Sequence, residues 1–375
     1  MKGICYQINT QEHFGGGEVY TRFFTRALQR LGWETVLLIH PRADFWRTLD
    51  LGTTRLIAVR NGAEILAALP PRDALVISHQ GQGAETAAAI RARHRFLGFA
   101  HMPLYQRNAR PFFDYHGVLP VSQHVLDSLR AAGVETAHDE PLLGVADLKR
   151  MRHRTDTPLH ARPVFDWDRR KFRDRVLSHL HPWYWKLKPQ RPFHQRPGLT
   201  LGIVSRLTPI KQFPRLFRHI APVLADFPQL HLEIFGSGGY ASVRDLRQAL
   251  GPLRQRVRFW GHQNEVTSVY AQLDYLLTGL PELEALGLNV IEAQAAGVPV
   301  LAVNAPPFTE TVRDGQSGFL YTDPREDGGR DFRTLLERIT SLDSPPRPEQ
   351  AREHLERFSE QAFTQRVERA LAKLG

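Results

Sequence analysis

The sequence predicts an α/β protein built from two doubly wound, Rossmann-like domains, and three observations carry that expectation. Short apolar runs alternate with amphipathic stretches from Gly3 to Gly133, and the same alternation restarts at Leu199. A basic, aromatic, proline-bearing stretch of different composition separates the two blocks. In the second block two carboxylates, Glu284 and Glu292, bracket Gly287 where an apolar strand gives way to a small-residue helix. A length of 375 residues suits roughly two to three domains, and 42% hydrophobic content is ample for packed cores.

In the first block, residues 3–8 read as a strand and His13-Phe-Gly-Gly-Gly17 as a loop. A helix begins near Glu18, with Val19, Phe23, Ala27 and Leu31 at a spacing of four on its buried face, and Gly32 ends it. Residues 35–39 form the next strand. Gly15, Gly16 and Gly17 open the helix, and glycine lets backbone approach a phosphate closely because no side chain intervenes. A plain turn uses three glycines equally well, and the pattern is not G-x-G-x-x-G, so a dinucleotide fingerprint is absent. Residues 74–78 and 96–100 read as buried strands ending at His79 and His101. Histidine at such a strand end is placed for ligand contact, although a lone one is more often structural. Residues 118–121 follow as a strand, with Ser122 as a helix N-cap and Gly133 as the stop.

In the second block, residues 199–204 form a strand that runs into Ser205-Arg-Leu-Thr-Pro-Ile-Lys211. Arg206 and Lys211 flank a proline-containing turn, where two cations can clamp a diphosphate and stabilise it as it leaves. Ordinary surface charge is the competing reading. Residues 230–235 lead into Gly236-Ser-Gly-Gly239, and residues 257–260 into Gly261 and His262. Leu276 and Leu277 approach the Glu284 loop, Gly297 and Pro299 stop the helix after it, and Val300, Leu301 and Val303 continue as a strand. A loop between strand end and helix start is where open α/β sheets bind ligands. Helix-start N–H groups attract phosphate, and carboxylates accept hydrogen bonds from hydroxyl pairs. A phosphate with a sugar on either side fits that loop, which describes a nucleotide-sugar. A solvated face is the bland alternative. A glycosidase pair fits less well, since eight positions on one helix span about 12 Å and paired glycosidase carboxyls lie roughly 5–9.5 Å apart.

Between Lys149 and Arg196 stand 14 Lys or Arg against four Asp, a local charge equal to the +10 of the whole chain. Trp167, Trp183 and Trp185 lie there too. Phe172, Val176, Leu180 and Trp183, interspersed with Arg169, Arg170, Lys171, Arg173 and Arg175, permit an amphipathic helix over 168–187, interrupted at Pro182. Such a segment suits an anionic membrane surface or a phosphorylated or otherwise acidic acceptor; a solvated, loosely ordered insertion is the bland reading. No RNP-like motif, zinc finger or recognition helix points to nucleic acid. The single cysteine, Cys5, excludes a disulfide framework and suggests a reducing compartment. Residues 1–8 lack an apolar signal core, and no run of 18 apolar residues occurs. The expected location is cytoplasmic, either free in the cytosol or docked peripherally on the inner face of the plasma membrane.

Glu284-Ala-Leu-Gly-Leu-Asn-Val-Ile-Glu292 resembles the E-x7-E signature of retaining GT-B glycosyltransferases, especially family 4 (glycosyl transferases group 1), with Ala285 for the usual Gly and Leu286 for Phe. Further segments match in the family's order. His101-Met-Pro resembles its H-x-P segment, and Leu143-Gly-Val-Ala-Asp147 its G-V-D segment with Ala146 inserted, which leaves Asp147 without a role. Ser205-Arg-Leu-Thr-Pro-Ile-Lys211 resembles G-R-L-x-x-x-K, and Glu310 to Gly318 resembles E-x-V-x-D-G-x-x-G. The resemblance touches nearly the whole chain except 148–196 and the tail beyond 330. It implies a GT-B fold, two doubly wound domains facing each other across a cleft. The implied reaction is transfer of a glycosyl unit from a UDP- or GDP-linked sugar to an acceptor hydroxyl with retention, needing no cofactor or metal and proceeding by internal return. The acceptor would be a glycan, a lipid-linked precursor or a small molecule. By the resemblance, Glu284 and His101 contact the donor sugar, and Leu286, Gly287 and Leu288 offer backbone to the diphosphate. Glu292 holds the ribose hydroxyls, Arg206 and Lys211 stabilise the departing diphosphate, and Gly15, Gly16, Gly17, Gly236 and His262 border the donor.

The expected division is residues 1–147, a linking segment 148–197, residues 198–355 as the nucleotide-sugar domain, and a C-terminal helix in 356–375 packing back on the first domain. Asp166-Trp-Asp168 fits the D-x-D of metal-dependent transferases but follows no convincing strand. A sugar phosphorylase and a catalytically silent nucleotide-sugar-binding module are the remaining alternatives.

Overall fold

The computed structural model describes residues 3–153, 155–167, 172–187 and 191–373. They form two compact units. One comprises the described residues up to Ala146 with those from Glu356 onward, and the other is Asp147–Leu355.

The first unit holds a parallel sheet of β1 (Gly3–Asn9), β2 (Trp33–Ile39), β3 (Arg55–Ala58), β4 (Leu75–Ser78), β5 (Arg95–Ala100) and β6 (Gly117–Pro120), ordered β3-β2-β1-β4-β5-β6. The second holds β7 (Leu199–Val204), β8 (Leu230–Phe235), β9 (Val257–Gly261), β10 (Tyr275–Leu277), β11 (Val300–Val303) and β12 (Gly318–Tyr321), ordered β12-β11-β10-β7-β8-β9. In each sheet the chain moves outward from a central strand, β1 or β7, and then returns to that strand's other side. This reversal opens a crevice beyond the strands' carboxyl ends, the usual ligand position in open α/β sheets.

Helices cover the sheets because their apolar residues recur at helical spacing. The Phe213–Ala225 helix buries Phe213, Leu216, Phe217, Ile220 and Leu224 against the second sheet. In the first unit the Gly16–Arg30 helix buries Phe23, Phe24, Ala27 and Leu28. The Glu360–Ala372 helix lies against it, with the Phe363 ring edge-on to Tyr20 at 5.3 Å and Arg30 paired with Glu360. Two outer strands, β3 and β12, were not expected from the sequence. Both are four residues long at sheet edges; β3 is only half-buried and shows no strong apolar pattern, whereas β12 is buried and apolar but short.

The linking segment departs from its sequence reading twice. Its Phe172–Leu187 helix runs through Pro182 rather than being interrupted there. The proline forfeits one backbone hydrogen bond, but the ladder on either side carries the helix on. Nor is the segment loosely ordered where described. Val164 joins the second unit's core, Arg162 N donates to the Trp260 carbonyl (2.9 Å), and Phe193 N donates to Leu159 (2.8 Å). Arg169, Arg170, Lys171 and Asp168 lie outside the described residues, as does the side chain of Arg173.

Candidate functional site

In the second unit the loops after β7, β8 and β10 converge at the sheet's reversal point. Close backbone approach makes this possible. A Cβ on Gly236 would sit 1.8 Å from the Ser205 carbonyl oxygen, and one on Gly279 would sit 2.1 Å from that of Lys211. Gly236 also has φ +149°, a region that side chains disfavour. Gly236→Ala is therefore expected to cost about 3 kcal/mol or more, read as a lowered urea midpoint. An unchanged midpoint would contradict this packing.

The first loop carries Arg206 and Lys211, and the third carries Glu284. Lys211 Nζ and Glu284 Oε2 form an ion pair that is mostly shielded from solvent. Its loops are held from behind. Leu280 N donates to the Lys211 carbonyl (3.3 Å), and Gln212, in the left-handed region at φ +52°, donates to Glu282 (3.0 Å). Arg215 in turn donates to Gln212 (2.6 Å), and Arg325 pairs with Glu282. Arg206, by contrast, is exposed.

Gly287, at φ +82°, caps the Leu288–Ala295 helix, which starts immediately beside Glu284. The first N–H groups of a helix lack intrahelical acceptors, so this start carries partial positive charge. Asn289 Nδ2 ties it to the end of β7 by donating to the Val204 carbonyl (3.1 Å). Glu292 follows one turn after Leu288 on the same face. The Tyr270 hydroxyl lies 3.3 Å from Glu292 Oε2. Burial pushes the Glu292 carboxyl up to about 7, while the Tyr270 hydroxyl and Arg150 pull it down and Asp147 raises it. Asp147 itself caps the Leu148–Arg152 helix by accepting from Arg150 N at 3.0 Å.

In the first unit, His79 and His101 meet beyond β4 and β5. The Gln7 amide donates to Thr25 (2.8 Å), which turns its oxygen toward His79 Nε2 (3.1 Å). His79 Nε2 thus carries the proton and Nδ1 is an acceptor. Thr21 donates to the Gly17 carbonyl (2.8 Å), so the proton between His79 Nδ1 and His101 Nε2 (3.2 Å) belongs to His101. That leaves His101 Nδ1 as a bare acceptor. The same Thr21 links the cluster to Gly17, where a Cβ would meet no atom of the described residues within 4 Å.

Burial lowers both histidines, His101 to about 4 and His79 well below its usual range, with the charge of His101 as a second cause for His79. Their folded values lie below the ordinary 6.5, so the stability they contribute is complete above about 6.5 and is lost as pH falls toward 4. His101→Gln is expected to flatten the fall in melting temperature over that window. An equally steep fall in the variant would contradict the buried neutral pair.

Of the residues singled out from sequence, Arg206, Lys211, Gly236, Glu284, Leu286, Gly287, Leu288 and Glu292 gather around one reversal point. His262 is exposed after the edge strand β9, next to Gly261, whose carbonyl accepts from Gly236 N (2.9 Å). Leu286 has a buried side chain and offers only backbone. Gly15, Gly16, Gly17 and His101 gather at the other sheet's reversal point. Sequence reading missed Tyr270, Asn289 and Gln212, and left His79 in second place behind His101. Nothing in their local sequence marks them, because each acts through a partner distant in the chain.

Residues 188–362 match the family model described as glycosyl transferases group 1. Among curated proteins, the chain is 33% identical over 156 residues to an exopolysaccharide phosphotransferase of Streptomyces coelicolor, covering 40% of this chain and 16% of that one. It is 32% identical over 149 residues to a D-inositol 3-phosphate glycosyltransferase of Rhodococcus jostii, covering 37% and 32% respectively. The matched stretches thus span less than a third of either relative. Among solved structures, Anabaena HepE in complex with UDP and glucose superposes with a TM-score of 0.71 at 17% identity, over 98% of this chain and 99% of that one. Sucrose-phosphate synthase from Thermosynechococcus elongatus gives 0.70 at 15% identity, over 100% and 99%. At such identities the likeness shows the fold, and that fold is GT-B.

Proposed function

We propose, from residues 188–362 belonging to glycosyl transferases group 1 and from the GT-B fold of the chain, that this protein transfers a glycosyl unit from a UDP- or GDP-linked sugar to an acceptor hydroxyl with retention. The observation that carries the reading is the Lys211–Glu284 pair beside the start of the Leu288–Ala295 helix. A cation and helix-start N–H groups suit a diphosphate, and the carboxylate next to them suits a sugar hydroxyl. Glu292, one turn further along the helix, suits the ribose diol, and in the first unit the acceptor Nδ1 of His101 suits a hydroxyl group.

In the reaction the bond between the anomeric carbon and the β-phosphate oxygen breaks, and its electron pair goes to the diphosphate. Lys211, Arg206 and the helix start stabilise that growing charge, which is worth most where water is excluded. The acceptor oxygen bonds to the anomeric carbon on the face the diphosphate leaves, and its proton passes to the departing phosphate oxygen. No metal is required in this scheme, because the protein's own cations take the charge.

The test is incubation with UDP- and GDP-sugars in EDTA, with a pool of glycan, lipid-linked and small-molecule acceptors. Release of the nucleoside diphosphate is expected, with a product of the donor's anomeric configuration. An inverted product, or a strict need for divalent metal or inorganic phosphate, would overturn the reading.

A further inference from the structure

The Phe172–Leu187 helix turns large apolar side chains outward. Phe172, Val176, Leu180, Trp183 and Leu187 are 73%, 44%, 60%, 70% and 83% exposed. At about 100° per residue these five positions fall within roughly 80° of one another, so they form one stripe about 22 Å long. Arg175 and His179 border the stripe, with the Arg175 guanidinium over the Phe172 ring at 5.6 Å. The one carboxylate of the helix, Asp174, is buried on the far side.

The described segments before and after the helix are tied together. Residues 159–161 and 191–193 pair through Ala161 N to Arg191 (3.1 Å), Phe193 N to Leu159 (2.8 Å) and an antiparallel bridge between His160 and Pro192. Further along, Arg196 pairs with Glu233 of β8 at 2.7 Å. The described residues on either side of the helix are thus tied to each other and to the second unit's sheet.

We infer that this helix is the protein's docking surface for an anionic lipid bilayer. A single row of unlike apolar side chains suits a fluid apolar medium better than a shaped protein groove. Basic groups at its border suit anionic headgroups, and the local charge of +10 adds long-range attraction. Among the described residues no helix is long and apolar enough to cross a membrane, so this one would lie in the interfacial plane. The inference does not depend on the donor chemistry.

Flotation of the full chain with vesicles tests it. Wild type should bind vesicles of equal parts phosphatidylglycerol and phosphatidylcholine at low salt, release at high salt, and ignore phosphatidylcholine alone. Phe172→Ser, Leu180→Ser and Trp183→Ser together should weaken binding about 100-fold, and Arg175→Gln alone about 5-fold. Both variants should keep the wild-type melting temperature and nucleotide affinity, because the altered side chains are exposed. Failure of wild type to bind the anionic vesicles at low salt would overturn the inference and point to an acidic protein partner instead. Wild-type vesicle affinity in the Arg175 or the triple variant would overturn it too.

Discussion

Replacing Lys211 with alanine is expected to lower turnover at saturating donor about 100-fold while leaving the fold intact. Lys211 sits on a loop whose backbone is held independently by Gly279, Leu280 and Gln212. In the proposed reaction its ammonium meets charge that grows as the diphosphate leaves, so its removal should slow turnover and weaken the free diphosphate more than the intact donor. The variant also strands the Glu284 carboxylate, which is mostly buried and paired with Lys211. Glu284→Gln in the same background should therefore be less harmful than the two separate losses imply, with a coupling of roughly 0.5–3 kcal/mol. Steady-state kinetics at saturating donor decides the matter, and a turnover close to wild type would remove Lys211 from the mechanism.

Glu292→Gln is expected to weaken nucleoside diphosphate binding about tenfold or more, since a hydrogen bond to a charged group contributes about 1.5–3 kcal/mol. The same substitution should make the protein more stable above neutral pH. The folded carboxyl titrates near 7 and the unfolded one near 4.5, so between those values the folded state holds a proton that the unfolded state lacks. Wild-type stability attributable to this group therefore falls as pH rises from about 4.5 to about 7 and stays low above it. A neutral amide in place of the carboxyl carries no such penalty. The variant's melting temperature should match wild type at about pH 4 and exceed it at about pH 8. Unchanged nucleotide affinity, or a lower melting temperature at the higher pH, would contradict a buried carboxylate held for a ligand.

Much of the fold was legible because central parallel strands are buried on both faces. Leu199–Val204 and Leu230–Phe235 have the bounds expected from their apolar runs, and Ser122 caps its helix by accepting from Val125 N (3.1 Å). β3 carries no such signal because it is only half-buried, and β12 is buried and apolar but only four residues long. The site divides in the same way. Glu284, Gly287 and Glu292 were visible as one local motif, and the structure adds that Glu284 lies on the loop while Glu292 lies on the helix. Spacing could not show that Lys211 pairs with Glu284 across 73 positions, or that Tyr270 reaches Glu292 across 22. Nor could it show the chain of hydrogen bonds from Gln7 through His79 to His101, which sets the tautomer of the last. Such pairings come from the order of strands in the sheets, and no local window contains that order.

Lys211, Glu292 and the helix start between them are proposed to form a nucleoside diphosphate site. Calorimetric titration with UDP, GDP and their monophosphates tests it most directly. One diphosphate should bind wild type at a single site and more tightly than its monophosphate. Lys211→Ala should erase most of that advantage, and Glu292→Gln should weaken both ligands alike. Wild type binding neither UDP nor GDP, or keeping its preference for the diphosphate after Lys211→Ala, would contradict it.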